Sequence, residues 1–126
     1  MSYIYSFTGK VEAGNKRGKN LGFPTANIAL TQSIPEGIYA SRVLIDGKTY
    51  QASTFIGEAK TFGEKEHKAE SYIFDFDKNI YGKEVTVYLF KNLRGNKKFS
   101  SEQKLIEQIK KDVSGTREFF KNNTTS

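Results

Sequence analysis

The pair Asp46-Gly47 sits between two runs of strand character, residues 37–45 and 48–56, and no other feature constrains the fold as tightly. Glycine adopts positive φ without steric cost, so Asp-Gly closes a two-residue hairpin and makes its flanks antiparallel neighbours. Elsewhere the same period of two recurs. Tyr3, Tyr5, Phe7, Gly9 and Val11 alternate, as do Val85, Val87 and Leu89 with Glu84, Thr86 and Tyr88 in residues 83–91. Residues 68–76 read as a further strand, with Asp77-Lys78-Asn79 as its turn. Residues 57–68 are polar and carry Gly57 and Gly63, so they read as a long loop, and residues 92–99 read as a basic loop.

After this β pattern the period changes. Leu105, Ile106, Ile109 and Val113 recur at helical spacing and form one apolar face. Ser100 with Gln103 can form a capping box at the start. Lys110 and Lys111 suit the end of a helix, where the dipole favours cations. Ser114-Gly115 reads as a break, followed by a short segment that packs Phe119 and Phe120 back onto the body, and residues 122–126 read as a frayed tail. Several short strands joined by turns and followed by one amphipathic helix imply a small, closed antiparallel barrel whose face or end the helix covers.

Composition removes several function classes. There is no cysteine, so a disulfide framework, a cysteine zinc site and a thiol nucleophile are excluded. His67 is the only histidine, which excludes multi-histidine metal sites. No apolar run approaches membrane-spanning length, and the N-terminal residues are too short and polar for a signal peptide, so a soluble, cytoplasmic protein is expected. The 126 residues suit one domain, 1–126. The charge of +6, from 20 Lys and Arg against 14 Asp and Glu, suits an anionic partner without choosing among nucleotide, nucleic acid and membrane.

The segment 9–27 carries the most chemistry. Gly14, Lys16, Arg17, Gly18, Lys19 and Gly22 make a basic, glycine-bearing loop directly before a Pro24-Thr25-Ala26-Asn27 turn. Glycines let backbone N–H groups approach phosphate oxygens, and the cations add charge beside them. Thr25 and Asn27 are neutral oxygen ligands two residues apart, which on extended chain point to the same side. Such ligands suffice for Mg²⁺, which keeps waters and takes phosphate oxygens. The bland alternatives are a surface turn with solvated lysines and a proline turn capped by its own side chains. The motif is not a Walker loop, because G-x-x-x-x-G-K-[ST] is absent.

This run resembles the signature of the riboflavin kinase family, above all in Leu21-Gly22-Phe23-Pro24-Thr25-Ala26-Asn27. The likeness continues through Pro35-Glu36-Gly37-Ile38-Tyr39-Ala40, Ile56-Gly57, Thr61-Phe62-Gly63, Glu70, Asp75-Phe76, Tyr81-Gly82, Leu93-Arg94, Lys98-Phe99-Ser100, Gln108-Ile109 and Asp112. The resemblance implies a mainly β fold, a six-stranded antiparallel Greek-key closed barrel with a C-terminal α-helix. It also implies transfer of the γ-phosphate of ATP to the 5′-hydroxyl of riboflavin, giving FMN and ADP. By the same resemblance Thr25 and Asn27 hold Mg²⁺, Gly14 and Lys19 belong to a flap over the ATP phosphates, and Glu70 is the catalytic carboxylate. Ile73, Asp75 and Tyr81 fall on the nucleotide side; Arg94, Lys97 and Phe99 fall on the flavin side. Riboflavin and ATP are then the partners, with no nucleic acid, no membrane and a monomeric chain expected.

The chemistry of Glu70 can be argued separately. A primary alcohol is a weak nucleophile, and a carboxylate within reach can orient it and accept its proton. Glu70 alternates with Tyr72, Phe74 and Phe76, and a carboxylate on so aromatic a face is costly unless it opens to water, a cation or a ligand. A strand-end glutamate paired with lysine is the alternative. Tyr81-Gly82 is equally explained as a turn, Arg94 and Lys97 as a solvated loop, and Phe99 as a hydrophobic staple for the helix. The sequence departs from the family around its centre. Phe55 stands where Asn is common, Lys60 where Pro is common, and Tyr72 where His is common. Nothing in these residues resembles an adenylyltransferase motif, so FAD synthesis is not expected of them. Two other functions fit the residues: a single-strand-binding barrel, given seven Tyr and ten Phe, and a flavin-binding module without catalysis.

Overall fold

A computed structural model describes residues 2–12, 25–61, 64–76 and 78–123. Gly14 and Lys19 therefore lie outside the described residues. Six strands and one helix follow in order: β1 Tyr5–Lys10, β2 Thr25–Ala29, β3 Gly37–Ile45, β4 Lys48–Thr61, β5 Glu64–Ile73, β6 Glu84–Arg94 and α1 Glu102–Asn123. Every strand pairing is antiparallel, in the order β1-β6-β3-β4-β5-β2. β6 returns to lie beside β3 after the consecutive neighbours β3, β4 and β5, which is a Greek-key arrangement.

The expected closed barrel is corrected to an open half-barrel. β1 and β2 form the two edges of the sheet, and among the described residues one isolated bridge spans the gap, from Glu12 just after β1 to Asn27 on β2, with the Glu12 N–H donating to the Asn27 carbonyl at 2.7 Å. Period-two alternation reports which face a residue occupies, not whether the last edge meets the first. Asp46-Gly47 forms the expected turn, with φ of 50° and 83°, as a type I′ hairpin requires.

Five further expectations change. Residues 57–61 and 64–68 are strand and not loop, because β4 and β5 continue as a backbone ladder from Gly57↔Lys68 to Thr61↔Glu64. Main-chain pairing makes that ladder and does not depend on apolar residues. The Thr25–Asn27 turn is the start of strand β2. β6 runs on through Arg94, shortening the basic loop to residues 95–101. Helix α1 passes unbroken through Ser114-Gly115, and this leaves Lys110 and Lys111 in mid-helix and Asn122 and Asn123 within it. Its continuity follows from burial: Ile109, Asp112, Val113, Thr116 and Phe120 all fall on one buried face. The cap is Ser101 rather than Ser100, its Oγ accepting the Lys104 N–H at 3.2 Å, and Lys104 in the third helical position leaves no capping box.

The two faces of the sheet bury different things. One holds the main core, including Phe7, Ala26, Ile28, Tyr39, Val43, Ile56, Ala69, Ile73, Val87 and Leu89. A chain of buried hydroxyls crosses this face, Ser41 to Thr54 at 2.6 Å and Thr54 to Ser71 at 2.7 Å, so these polar groups satisfy one another. The other face receives α1. Tyr72 and Phe74 pack on Ile109 and Val113, and Arg42 lies over the rings of Phe90 and Phe120, 5.2 and 4.9 Å from their centroids. Truncating the fully buried Phe120 to Ala costs about 3–5 kcal/mol, so this side chain is a main anchor of the helix end.

β6 gains two extra residues against β3. Leu89 faces Ser41 while Lys91 faces Ala40, and Asn92 faces Tyr39 while Arg94 faces Ile38, leaving Phe90 and Leu93 as bulges. Bulges bend a strand and re-aim its side chains. Here they bring Arg94 onto the helix-covered face beside Ile38.

Candidate active site

The site is built on the β2–β5 ladder. Asn27 stands directly opposite Glu70, and Thr25 opposite Tyr72. Directly opposed residues project to the same face, and residues two apart do too, so these four side chains share one side of the sheet. Across β5, Glu70 is also opposite Phe55 on β4, and Phe55 is opposite Ile38 on β3. One row of the sheet therefore runs Asn27, Glu70, Phe55, Ile38.

A cavity of about 480 Å³, a size suited to a small organic ligand, opens over Glu70, Phe55 and Ile38 of this row, with Asn27 at its edge and not among its lining residues. Ile38, Phe55, Glu70 and Tyr72 form its floor. Lys97, Lys98 and Phe99 of the loop before α1 form one rim, and Leu105 and Ile109 of the helix form an apolar wall. Asn96 ties that loop to the sheet, donating to the Ile56 carbonyl of β4 at 3.4 Å and to Glu36, just before β3, at 3.1 Å. Glu70 is 7% exposed, and the Tyr72 hydroxyl donates to its Oε1 at 2.7 Å.

Arg94 closes the corner between β6 and α1. Its Nε and Nη2 donate to the two Asp112 carboxylate oxygens at 2.8 Å each, a bidentate pair. Its Nη1 donates to the Gly95 carbonyl, and Gln108 adds a 3.0 Å bond to Asp112. Arg94 thus lines the cavity with three donors already engaged, which makes it a brace for the wall as well as a lining residue.

Of the residues singled out from the sequence, Glu70, Arg94, Lys97 and Phe99 meet around this cavity, and Thr25 and Asn27 stand on its face beside Glu70. Three others lie elsewhere. The Ile73 side chain is fully buried in the main core, on the face opposite to Glu70. Asp75 is exposed at a φ of 56°, with Arg117 at 3.9 Å. Tyr81 is 66% exposed, in a turn where its N–H donates to the Asn79 side chain. That turn adjoins the root of the basic segment, since the Gly82 N–H donates to the Val11 carbonyl at 2.9 Å.

Sequence reasoning assigned no role to Phe55, Tyr72, Leu105, Ile109 and Asp112 in the site. Tyr72 had a usable signal, since it alternates with Glu70 along one strand. The Arg94–Asp112 pair had none, because its two residues lie 18 apart on different elements.

Among the described residues no cluster of three His, Cys, Asp or Glu could hold a metal. The donors present are a hydroxyl, a carboxamide and one carboxylate, a set that fits Mg²⁺ completed by water and phosphate oxygens.

The family model described as flavokinase, riboflavin kinase, matches residues 1–120. A trifunctional RibF/MnmA protein of Mycoplasmoides gallisepticum is 44% identical over 115 residues, covering 89% of this chain and 18% of that protein. The bifunctional riboflavin kinase/FMN adenylyltransferase of Bacillus subtilis is 36% identical over 94% of this chain and 39% of its own length. The chain thus spans about two fifths or less of these relatives. Among solved structures, a Streptococcus pneumoniae protein described as macrolide-efflux superposes with a TM-score of 0.79 at 36% identity, over 95% of this chain and 39% of that one. Riboflavin kinase from Trypanosoma brucei superposes with a TM-score of 0.65 at 27% identity, over 94% of this chain and 80% of that one. A family match that takes in all six strands and nearly all of the helix leaves one assignment: the chain belongs to the riboflavin kinase family.

Proposed function

We propose that residues 1–126 form one kinase domain that transfers the γ-phosphate of ATP to the 5′-hydroxyl of riboflavin, giving FMN and ADP. The observation that carries this reading is Glu70, which lines the cavity, standing opposite Asn27 on the neighbouring strand. A carboxylate 7% exposed, with a neutral oxygen ligand directly across the ladder, unites a base with a place for phosphate.

In this reaction the ribityl oxygen forms a bond to the γ-phosphorus as the bond to the β-phosphate bridging oxygen breaks. The alcohol proton passes to Glu70, and ADP leaves. Phe99, Ile38, Leu105 and Ile109 offer apolar surface to the isoalloxazine ring and exclude water around the alcohol. Lys97 and Arg94 face the same cavity on the flavin side. Thr25 and Asn27 would hold Mg²⁺, which when bound neutralises phosphate charge in the loose transition state of phosphoryl transfer. The basic residues 13–24, Gly14 and Lys19 among them, connect Glu12 to Thr25, and Glu12 bridges to Asn27, so both roots of this segment lie at the metal position. Tyr81 adjoins one root and Asp75 follows the end of β5; both belong to the nucleotide side, as does the backbone at Ile73. The domain works as a cytoplasmic monomer, with no nucleic acid and no membrane as partner.

Incubation of the protein with riboflavin and Mg-ATP yields FMN and ADP, separated by chromatography and read by flavin fluorescence. Glu70→Gln lowers turnover by roughly 10²–10⁴, the range for a positioned general base. Full activity in Glu70→Gln removes this residue as the base.

A further inference from the structure

We infer that Tyr72 is a positioning residue that fixes which oxygen of Glu70 receives the alcohol proton; this rests on Glu70 acting as the base. The two residues alternate on β5 and share its helix-covered face. Tyr72 is 5% exposed, and its ring is gripped by Phe74, Ile109 and Val113, with Leu105 packed against the cluster. The hydroxyl is therefore held by the helix side of the site, not only by its own strand. It donates to Oε1 of Glu70 at 2.7 Å. A carboxylate offers lone pairs on both oxygens, and a glutamate side chain has several rotors. With Oε1 engaged, the carboxylate is locked in one orientation and Oε2, to which no described residue donates, is the atom presented to substrate.

The arrangement also links α1 to the chemistry. Leu105 and Ile109 wall the cavity and pack with or against Tyr72, so the same helix that contacts the flavin sets the aim of the base.

The test is a kinetic cycle of Tyr72→Phe, Glu70→Gln and the double variant, with riboflavin affinity read separately by fluorescence. Tyr72→Phe keeps the ring and its packing. Its kcat is expected to fall about tenfold, the scale of one hydrogen bond of ~1.4 kcal/mol lost in the transition state. KM and Kd for riboflavin stay within about twofold, as expected for an interaction that acts on the chemical step alone. In the Glu70→Gln background the same change has no further effect, because there is no base left to aim. An unchanged kcat in Tyr72→Phe overturns the inference, and so does an equal loss in both backgrounds or a rise in KM at constant kcat. If Glu70→Gln itself turns over at the wild-type rate, the base assignment fails, and the inference fails with it. If Glu70→Gln is inactive and Tyr72→Phe is normal, only the positioning role fails.

Discussion

Cutting the Arg94–Asp112 pair from one side should destabilise the fold and loosen the cavity wall formed by Leu105 and Ile109 together. In Asp112→Ala, Arg94 loses two charged hydrogen bonds of 2.8 Å and Gln108 loses one of 3.0 Å. Hydrogen bonds to charged groups contribute about 1.5–3 kcal/mol each, and orphaning one partner of a fully buried pair costs about 3–5 kcal/mol. The Arg94 side chain is 23% exposed against 6% for Asp112, so water recovers part of the loss. The expected cost is about 3 kcal/mol. At roughly 2 cal/mol/K of unfolding entropy per residue, that lowers Tm by about 10 °C. Circular dichroism measures the shift, and riboflavin titration measures the second effect, a weaker Kd because Leu105 and Ile109 ride on the released helix. The double replacement Arg94→Met with Asp112→Leu should restore most of the stability, because a well-packed apolar pair removes the orphaned charge. A Tm loss under about 2 °C in Asp112→Ala, or strict additivity in the double variant, would refute the reasoning.

Three shorter expectations follow from other parts of the molecule. Thr25→Ala and Asn27→Ala should each raise the Mg²⁺ needed for half-maximal turnover by about tenfold, ~1.4 kcal/mol of ligation, while riboflavin affinity holds; unchanged magnesium dependence in both removes them from the metal site. Gly37 has a φ of 147°, and a Cβ there would lie 2.6 Å from the Arg94 carbonyl oxygen, so Gly37→Ala should cost at least about 1–3 kcal/mol in urea unfolding, and a wild-type midpoint contradicts this. Burial raises the Tyr39 phenol above its ordinary 10.0, outweighing the Asn92 hydrogen bond that lowers it. A raised pKa favours the neutral form in the fold, so its contribution is complete below pH 10.0 and is lost as pH climbs through the folded value. The stability difference between wild type and Tyr39→Phe should therefore be flat below that pH and shrink above it; a difference constant to high pH argues against the burial effect.

Local chemistry was legible in the sequence wherever one residue type had one reason to be there. Asp46-Gly47 required a hairpin, and the alternation of Val85, Val87 and Leu89 required a strand with one buried side. The Leu105–Val113 face required a helix packed on the sheet. Motif likeness placed Asn27 and Glu70 at one site without showing that they are cross-strand partners. The misreadings arose where backbone pairing or distant packing outweighed composition. Residues 57–68 look like a loop by polarity, yet each of β4 and β5 supplies the other's hydrogen-bond partners. Ser114-Gly115 looks like a helix end, yet Thr116 and Phe120 beyond it are buried on the same face as Ile109. The bulges at Phe90 and Leu93 break the period of two only in β6, and no residue type at either position announces them. Closure of the sheet was overestimated because the edges that would meet, β1 and β2, carry the same alternation in an open sheet as in a shut one.

Register in β2 has a consequence for how such a site can change over time. Ala26 and Ile28 are buried in the core, and Asn27 lies between them on the reverse side. Sliding this strand by one residue against β5 would turn Asn27 inward and push two apolar side chains out. A deletion or insertion that shifted this pairing would therefore damage folding and chemistry in the same stroke. Length variation is tolerable only where it is absorbed before Thr25 or after Ala29, where the register that sets Asn27 opposite Glu70 is untouched.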